Sequence, residues 1–385
     1  MLIVFNAGSS TLKFELFEHE GGLPGPKVAH GALDAHDGLI TGEAWLGKEV
    51  AIKWNTEALV NRHDKMLTLL LDWVKELGFT LTAAGHRVVH GGPIFHETVK
   101  VTPEVIDALK AFIPLAPLHQ PHNLSAIEAL LRLYPELPQF ASFDTAFHAN
   151  EPELAQWFAL PRKFYEQGVR RYGFHGLSYA FIAHKLKQLA PKLYHGKTVI
   201  MHLGNGASAC AVENGRSIAS SMGFTALDGL MMGTRSGQVD PGVLLYCQQH
   251  LNMDHAAIET LLYKQSGLLG VSGISSDMRT LRASDAPEAK FAIDLFVYRL
   301  VREIGALISV LGGVDGLIFT GGIGEHAAFV RDEVINKLAW LGFELDASKN
   351  EANETIITSA NSKLPAYVIP TDEARQIAYE LGPML

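Results

Sequence analysis

The 385-residue sequence predicts an α/β protein of two related lobes. Three observations carry that prediction. An apolar run, Leu2-Ile3-Val4-Phe5, enters the polar glycine turn Asn6-Ala7-Gly8-Ser9-Ser10-Thr11-Leu12-Lys13, and a second strand-like run follows from Phe14 to Phe17. Roughly half a chain later the design recurs. Thr198 to Leu203 lead into Gly204-Asn205-Gly206-Ala207-Ser208, the strand Ala209 to Val212 follows, and Glu213-Asn214-Gly215-Arg216 closes a hairpin of the kind that joins antiparallel strands. A third glycine turn, Gly321-Gly322-Ile323-Gly324-Glu325-His326, follows the apolar run Gly316 to Thr320.

A turn rich in Gly, Ser and Thr presents backbone N–H groups, hydroxyls and here one ammonium, that of Lys13, on one small surface. Such a surface binds phosphate. An ordinary polar hairpin has the same composition, so the first turn alone does not decide. It is not a P-loop, which requires G-x-x-x-x-G-K-[ST] before a helix. Glycines in the third loop let a flat ligand approach the backbone. Two phosphate hairpins and a late glycine loop fit a nucleotide held between two lobes.

The bulk composition agrees. A chain of 385 residues is long for one domain and natural for two. With 48% hydrophobic and 19% charged residues it carries a large core. A net charge of −9 argues against nucleic acid as a partner, and an anionic substrate then needs locally placed cations. Two cysteines, Cys210 and Cys247, give no disulfide framework and suit a reducing cytoplasm. No signal peptide or membrane-spanning run is expected.

Residues 2–60 read as short strands and turns, with Gly21 to Pro26 as a loop. Met66, Leu69, Leu70 and Trp73 recur at helical spacing and predict a helix over 61–78, stopped at Gly78. A strand is expected from Ala84 to Val89, then a turn at His90-Gly91-Gly92-Pro93. Thr102 and Pro103 predict a capped helix through Ala111. Pro114, Pro117 and Pro121 break the chain before a helix over 123–133, and Phe140 to Phe143 form a strand ending at Asp144. Helices are expected at 177–189, 241–251, 254–264 and 288–311, and a capped helix from Asp372 to Leu381. The expected lobes are 1–148, with 371–385 packing back on it, and 149–370, the nucleotide-binding lobe.

The chemistry concentrates beside glycines. Arg87, in His86-Arg87-Val88-Val89-His90-Gly91-Gly92, ends a strand where it can grip an oxyanion. Arg235, in Met232-Gly233-Thr234-Arg235, has the same setting; a surface salt bridge is the bland reading of either. Asp144, at a strand's carboxyl end, suits a Mg²⁺ contact, a catalytic acid/base or a helix cap. Glu373 begins the last helix, where a carboxylate also complements the helix dipole. His175, in Arg171-Tyr172-Gly173-Phe174-His175-Gly176, suits an anion donor or a packed ring. His86 with His90 and His119 with His122 have spacings compatible with zinc. Both pairs lie in Gly/Pro-interrupted segments without His-Glu-x-x-His, so zinc is discounted.

These segments, with Phe143-Asp144-Thr145-Ala146-Phe147-His148 and Thr371 to Glu373, occur in the order seen in acetate kinases, and the chain resembles that family throughout. The resemblance implies an actin-like ATPase fold, two ribonuclease-H-like lobes around a central nucleotide cleft. It implies reversible ATP-dependent phosphorylation of acetate to acetyl phosphate by direct in-line transfer, with Mg²⁺ or Mn²⁺, in a cytoplasmic homodimer. Arg87, Arg235, His175 and Asp144 are the implied catalytic residues. Asn6 and Glu373 join Asp144 in arranging the metal and the phosphates. Arg87, Val89, Leu118, Phe174 and Ala226 are implied around the acyl group, and His119 lines the site. Lys13, His202, Asn205, Gly206, Asp277, Met278, Arg279, Gly322, Ile323 and Gly324 are implied for the nucleotide, with His326 where the family has Asn. Thr11 replaces the usual Ser, and Ala226 replaces the usual Pro, which removes bulk beside the acyl group. A propionate kinase of the same family is the alternative. A carboxylate acceptor is already ionised at neutral pH, so no general base is needed, and Asp144 is read as an orienting group.

Overall fold

A computed structural model describes residues 1–57 and 62–385. The end of the predicted strand region and the first residue of the predicted helix, 58–61, lie outside the described residues. The chain divides into two units, Met1–Ala149 with Asp372–Leu385, and Asn150–Thr371.

The first unit is built on β1 (Leu2–Ala7), β2 (Thr11–Glu20), β3 (Leu23–His36), β4 (Leu39–Leu46), β5 (Glu49–Glu57), β6 (Ala83–Val88), β7 (Val99–Lys100) and β8 (Gln139–Phe143). They form one sheet in the order β5-β4-β3-β2-β1-β6-β8-β7. β1 to β5 make an antiparallel meander, while β6 and β8 run parallel to β1. Helices α1 (Arg62–Glu76), α2 (Pro103–Ala111) and α3 (Gln120–Leu133) join this sheet. In α1, Met66, Leu70 and Trp73 are buried, as the helical spacing predicts. Thr102 caps α2 by accepting the Val105 N–H at 3.3 Å.

The second unit is built on β9 (Lys197–Leu203), β10 (Ala207–Glu213), β11 (Arg216–Ser220), β12 (Gly316–Thr320) and β13 (Ala366–Val368), in the order β11-β10-β9-β12-β13. β9, β10 and β11 are antiparallel; β12 and β13 run parallel to β9. The strands β3-β2-β1-β6-β8 repeat this order and these directions. The two units therefore share one topology, as the paired hairpins predict. In each, the first hairpin turn lies at the carboxyl ends of the parallel strands, where open α/β sheets bind ligands. All five residues of β8 and of β12 are buried, the pattern of strands covered on both faces. Helices α4 (Gly176–Leu189), α5 (Pro241–His250), α6 (His255–Lys264) and α7 (Pro287–Leu311) fall within a residue or so of their predicted bounds.

The C-terminal helix, Glu373–Leu381, belongs to the first unit and packs on β1 and β6. Gly85 makes that approach possible: a Cβ there would lie 2.6 Å from Ile377 Cγ2 and 3.1 Å from Leu381 Cδ2. Ile377 and Leu381 are buried. Each such side chain contributes about 1.5–3 kcal/mol.

Three local expectations change. The Gly21–Pro26 loop is a Gly21-Gly22 turn followed at once by β3. β3 pairs with β4 only from Ala29 onward, so Pro24 and Pro26 sit where one edge is open, and there a missing N–H is tolerated. α3 starts at Gln120 rather than 123, because Pro121 occupies the first turn, where its missing N–H breaks no helical bond. His119 is therefore the N-cap of a regular helix that contains His122.

Candidate active site

In the first unit, parallel pairing sets Arg87 of β6 beside Ser142 of β8, and Asp144 extends β8 by donating its N–H to Val88 O at 3.1 Å. The side chains then meet. Arg87 Nε donates to Asp144 Oδ1 at 3.0 Å and Nη2 to Oδ2 at 2.6 Å, a two-point ion pair. Nη1 reaches Asn6 Oδ1 at 3.4 Å, and Glu373 Oε2 lies 3.5 Å from Nε. Burial opposes the Arg87 charge, but Asp144 and Glu373 outweigh it and raise its pKa above the ordinary arginine value. Asp144 is 2% exposed and already committed to Arg87, which suits orientation rather than proton abstraction. Lys13 faces Asn6 across the β1–β2 ladder.

A buried frame holds these groups. Asn123 of α3 donates from Nδ2 to Ala7 O at 2.8 Å and accepts the Val89 N–H at 3.0 Å. Gln120 donates to His90 O at 3.0 Å and accepts the His90 N–H at 3.3 Å. One helix thus ties the end of β1 to the loop after β6. His63 of α1 reaches Gly8 O at 3.1 Å and so anchors the first hairpin turn. Val89 is buried in this frame, whereas Leu118 is 38% exposed.

In the second unit, His175 adopts a left-handed conformation (φ 57°) and caps α4. Its Nδ1 lies 2.8 Å from Ser208 Oγ on β10. Its ring stacks on His202 with centroids 4.3 Å apart, and His202 Nδ1 lies 2.8 Å from Ser178 Oγ. The Gly204–Gly206 turn lies beside them. A Cβ on Gly206 would lie 2.7 Å from Arg235 Nη2 and 3.3 Å from His175 Nε2, so both donors converge over that glycine. Arg235 Nη1 donates to Ala226 O at 2.5 Å, and Gly233 N–H donates to Asn205 O at 2.9 Å. Phe174 is buried.

The third glycine loop is the short helix Gly321–His326. Glu325 Oε1 accepts the Gly321 N–H at 2.8 Å and the Thr371 N–H at 3.1 Å. The fully buried Arg331 donates from Nη1 to Gly324 O and Glu325 O, each at 2.9 Å. Burial lowers the Arg331 pKa to about 10. Gly322 has open space where a Cβ would stand. Ile323 lies in the same turn, and His326 is 74% exposed. Asp277 caps the helix Met278–Arg282; hydrogen bonds from Arg279 pull its pKa down to about 2. The Met278 side chain is buried, while that of Arg279 is 90% exposed.

The sequence matches the profile of the Acetokinase family over residues 1–379. The chain belongs to the acetokinase family. It is 51% identical over 389 residues to an acetate kinase of Rhodopseudomonas palustris (strain ATCC BAA-98 / CGA009), covering 98% of this chain and 96% of that one. The fold matches a propionate kinase from Francisella tularensis subsp. tularensis with a TM-score of 0.91 at 37% identity, covering 98% of each chain. It matches Porphyromonas gingivalis acetate kinase with a TM-score of 0.89 at 36% identity, covering 98% of this chain and 97% of that one.

Membership of the acetokinase family makes ATP or ADP a substrate. It also raises the question of a metal. Among the described residues, no three His, Cys, Asp or Glu side chains come together as a metal-binding group. Asn6, Asp144 and Glu373 instead surround Arg87 with hard oxygen donors, and Asp144, Glu373 and Arg87 together carry one net negative charge. Mg²⁺ typically takes one or two carboxylates and completes its shell with substrate phosphates and water, so this donor set fits it. His86 has another role. Its Nε2 lies 2.8 Å from Gln139 Oε1, its ring stacks on Phe5, and burial lowers its pKa to about 4.

Asn123, Gln120, Ser208, Ser178 and Tyr179 were not predicted from sequence. Their signal is weak: Gln120 and Asn123 share the inward stripe of α3 with Leu124 and Ile127, where an apolar residue is the rule.

Proposed function

We propose that this chain transfers the γ-phosphoryl group of ATP reversibly to acetate, giving acetyl phosphate and ADP. Family membership across residues 1–379 carries this reading. An acetate oxygen forms a bond to the γ-phosphorus as the bond to the β,γ-bridging oxygen breaks, and that electron pair leaves with ADP. The acetate is already a carboxylate, so no proton need be removed from it. Rate comes from alignment and from charge stabilisation on the equatorial oxygens.

Arg87, fixed by Asp144, takes the acyl carboxylate and the incoming phosphoryl. Arg235 and His175 donate to phosphoryl oxygens, and the Asn205-Gly206 turn accommodates the nucleotide phosphates. The Gly321–Gly324 loop and the Asp277–Arg279 turn flank adenosine. Asn6, Asp144 and Glu373 would hold Mg²⁺ or Mn²⁺, which when bound neutralises phosphate charge. Val89, Leu118, Phe174 and Ala226 shape the acyl site.

A second copy of the chain is the proposed partner, on family resemblance; Phe291 and Tyr298, one α7 face apart by two turns, are each 62% exposed and available for such a contact. Neither Cys210 nor Cys247 is in a disulfide, which suits the cytoplasm. No helix among the described residues is long and apolar enough to cross a membrane.

Propionate phosphorylation is the second reading, favoured by Ala226 and by the likeness to the Francisella tularensis propionate kinase. Hydroxylamine trapping of acyl phosphate, with ATP and either acetate, propionate or butyrate, tests both. The largest kcat/KM is expected with acetate. Absence of acyl hydroxamate from all three acids would remove the reading.

A further inference from the structure

Ser208 lies at a branch point. Its Oγ is 2.8 Å from His175 Nδ1 and 2.5 Å from the Tyr179 hydroxyl, and both Ser208 and Tyr179 are fully buried. The three groups come from two elements: His175 and Tyr179 from the start of α4, Ser208 from β10. A buried hydroxyl pair and an imidazole must share their protons in one of two directions.

The acidity order chooses the direction. A phenol is a stronger hydrogen-bond donor than an aliphatic hydroxyl, and an imidazole nitrogen is a stronger acceptor than either oxygen. Burial also raises the Tyr179 pKa far above its usual value, so the phenol keeps its proton. Tyr179 then donates to Ser208, and Ser208 donates to His175 Nδ1. An imidazole that accepts at Nδ1 carries its proton at Nε2. That nitrogen points to the space over Gly206, where Arg235 Nη2 also arrives.

We infer that Tyr179 and Ser208 are positioning residues that hold His175 as the neutral tautomer with its proton on Nε2, so that the ring donates toward the phosphoryl site without a charge of its own. An imidazolium at this place would stand against the Arg235 guanidinium and the stacked ring of His202. A neutral ring avoids both, and its donor direction is set before any ligand arrives. The assignment of the donation to a phosphoryl oxygen rests on the function proposed above; the assignment of the tautomer does not.

The test is the long-range ¹H–¹⁵N spectrum of the full-length protein labelled at histidine, without ligand, at neutral pH. His175 is identified by the resonance that disappears in His175→Gln. An unprotonated Nδ1 and a protonated Nε2 are expected. Ser208→Ala and Tyr179→Phe should shift this resonance toward a mixture of tautomers. They should lower kcat by about 10–100-fold, the range known for partners that orient metal-bound histidines, with little change in KM for ATP. A protonated Nδ1 in the unsubstituted protein, or an unchanged His175 resonance in folded Ser208→Ala, overturns the inference. The first reading needs no variant, so a misfolded variant leaves the test decisive. If acyl phosphate is never formed while the tautomer is as stated, the relay stands and the proposed function falls.

Discussion

Arg87 and Asp144 meet edge to edge, with Nε–Oδ1 at 3.0 Å and Nη2–Oδ2 at 2.6 Å, so the arginine's orientation is fixed before any substrate binds. Lysine keeps the charge but not the fork. Arg87→Lys should therefore fold and lose about 10²-fold or more in kcat. Arg87→Ala should lose as much activity and also melt earlier, because it strands a buried carboxylate. Removing one partner of a buried pair costs about 3–5 kcal/mol, and the partial exposure of Arg87 places this case at or below the lower figure. Steady-state kinetics with thermal melts of both variants check this; near-normal turnover in either removes Arg87 from the chemistry.

Asn123 joins two backbone groups from different segments: it donates to Ala7 O and accepts from Val89 N–H. Asn123→Ala leaves both unsatisfied in a buried place, at about 1–3 kcal/mol. The loosened segment carries Val89, so KM for acetate should rise more than KM for ATP. Equal shifts in the two constants would show that the amide supports the fold and not the acyl site.

His86 gives a pH signature. Burial holds its folded pKa at about 4, below the 6.5 of an unfolded chain. The unfolded state therefore binds the extra proton as pH falls through 6.5, and stability declines from there until the folded histidine also protonates near pH 4. The difference corresponds to a ceiling of roughly 3 kcal/mol. Denaturant unfolding between pH 7 and 4 should show this slope, and His86→Leu should flatten it. An identical slope in the variant would place the acid sensitivity elsewhere.

Gly206 is where Arg235 and His175 converge, and its missing Cβ is what leaves them room. Gly206→Ala should displace the Arg235 tip, since the clash is with the far end of a long side chain. The expected result is a kcat reduced at least about tenfold, with a melting temperature close to the parent's. A large loss of stability instead would mean that the glycine serves the turn rather than the donors.

The parts that were legible in the sequence share a cause. Arg87, Asp144 and the three glycine turns stand out because charge or glycine interrupts an apolar strand at its end, and Arg235 because glycines flank it in a loop after an apolar run. Asn123, Gln120, Ser208 and Tyr179 lie inside regular elements, where a polar residue in sequence reads as a solvated face. Only the fold reveals that they point inward. Gly21 to Pro26 misled for the opposite reason. Proline and glycine normally punctuate strands, but Pro24 and Pro26 lie in the stretch of β3 that β4 does not reach. The shared topology of the two units was foreshadowed by their paired hairpins alone, since parallel pairing of β6 and β8 with β1 is a long-range choice that local sequence does not encode.

Ala226 is among the residues proposed above to shape the acyl site. Its carbonyl accepts from Arg235 Nη1 at 2.5 Å, so the residue positions a donor through the one backbone group that proline also has. Ala226→Pro should keep that bond while adding ring carbons beside the proposed acyl site. The condition is a proline-compatible φ at this residue. One methylene in an apolar pocket is worth about 1–3 kcal/mol. The larger acid should therefore suffer more: kcat/KM for propionate should fall by about 10-fold or more relative to acetate. Hydroxylamine trapping with the two acids in parallel measures this directly. Equal losses with both acids would show that Ala226 acts on Arg235 alone, and that acyl size is set by other residues, Val89 among them.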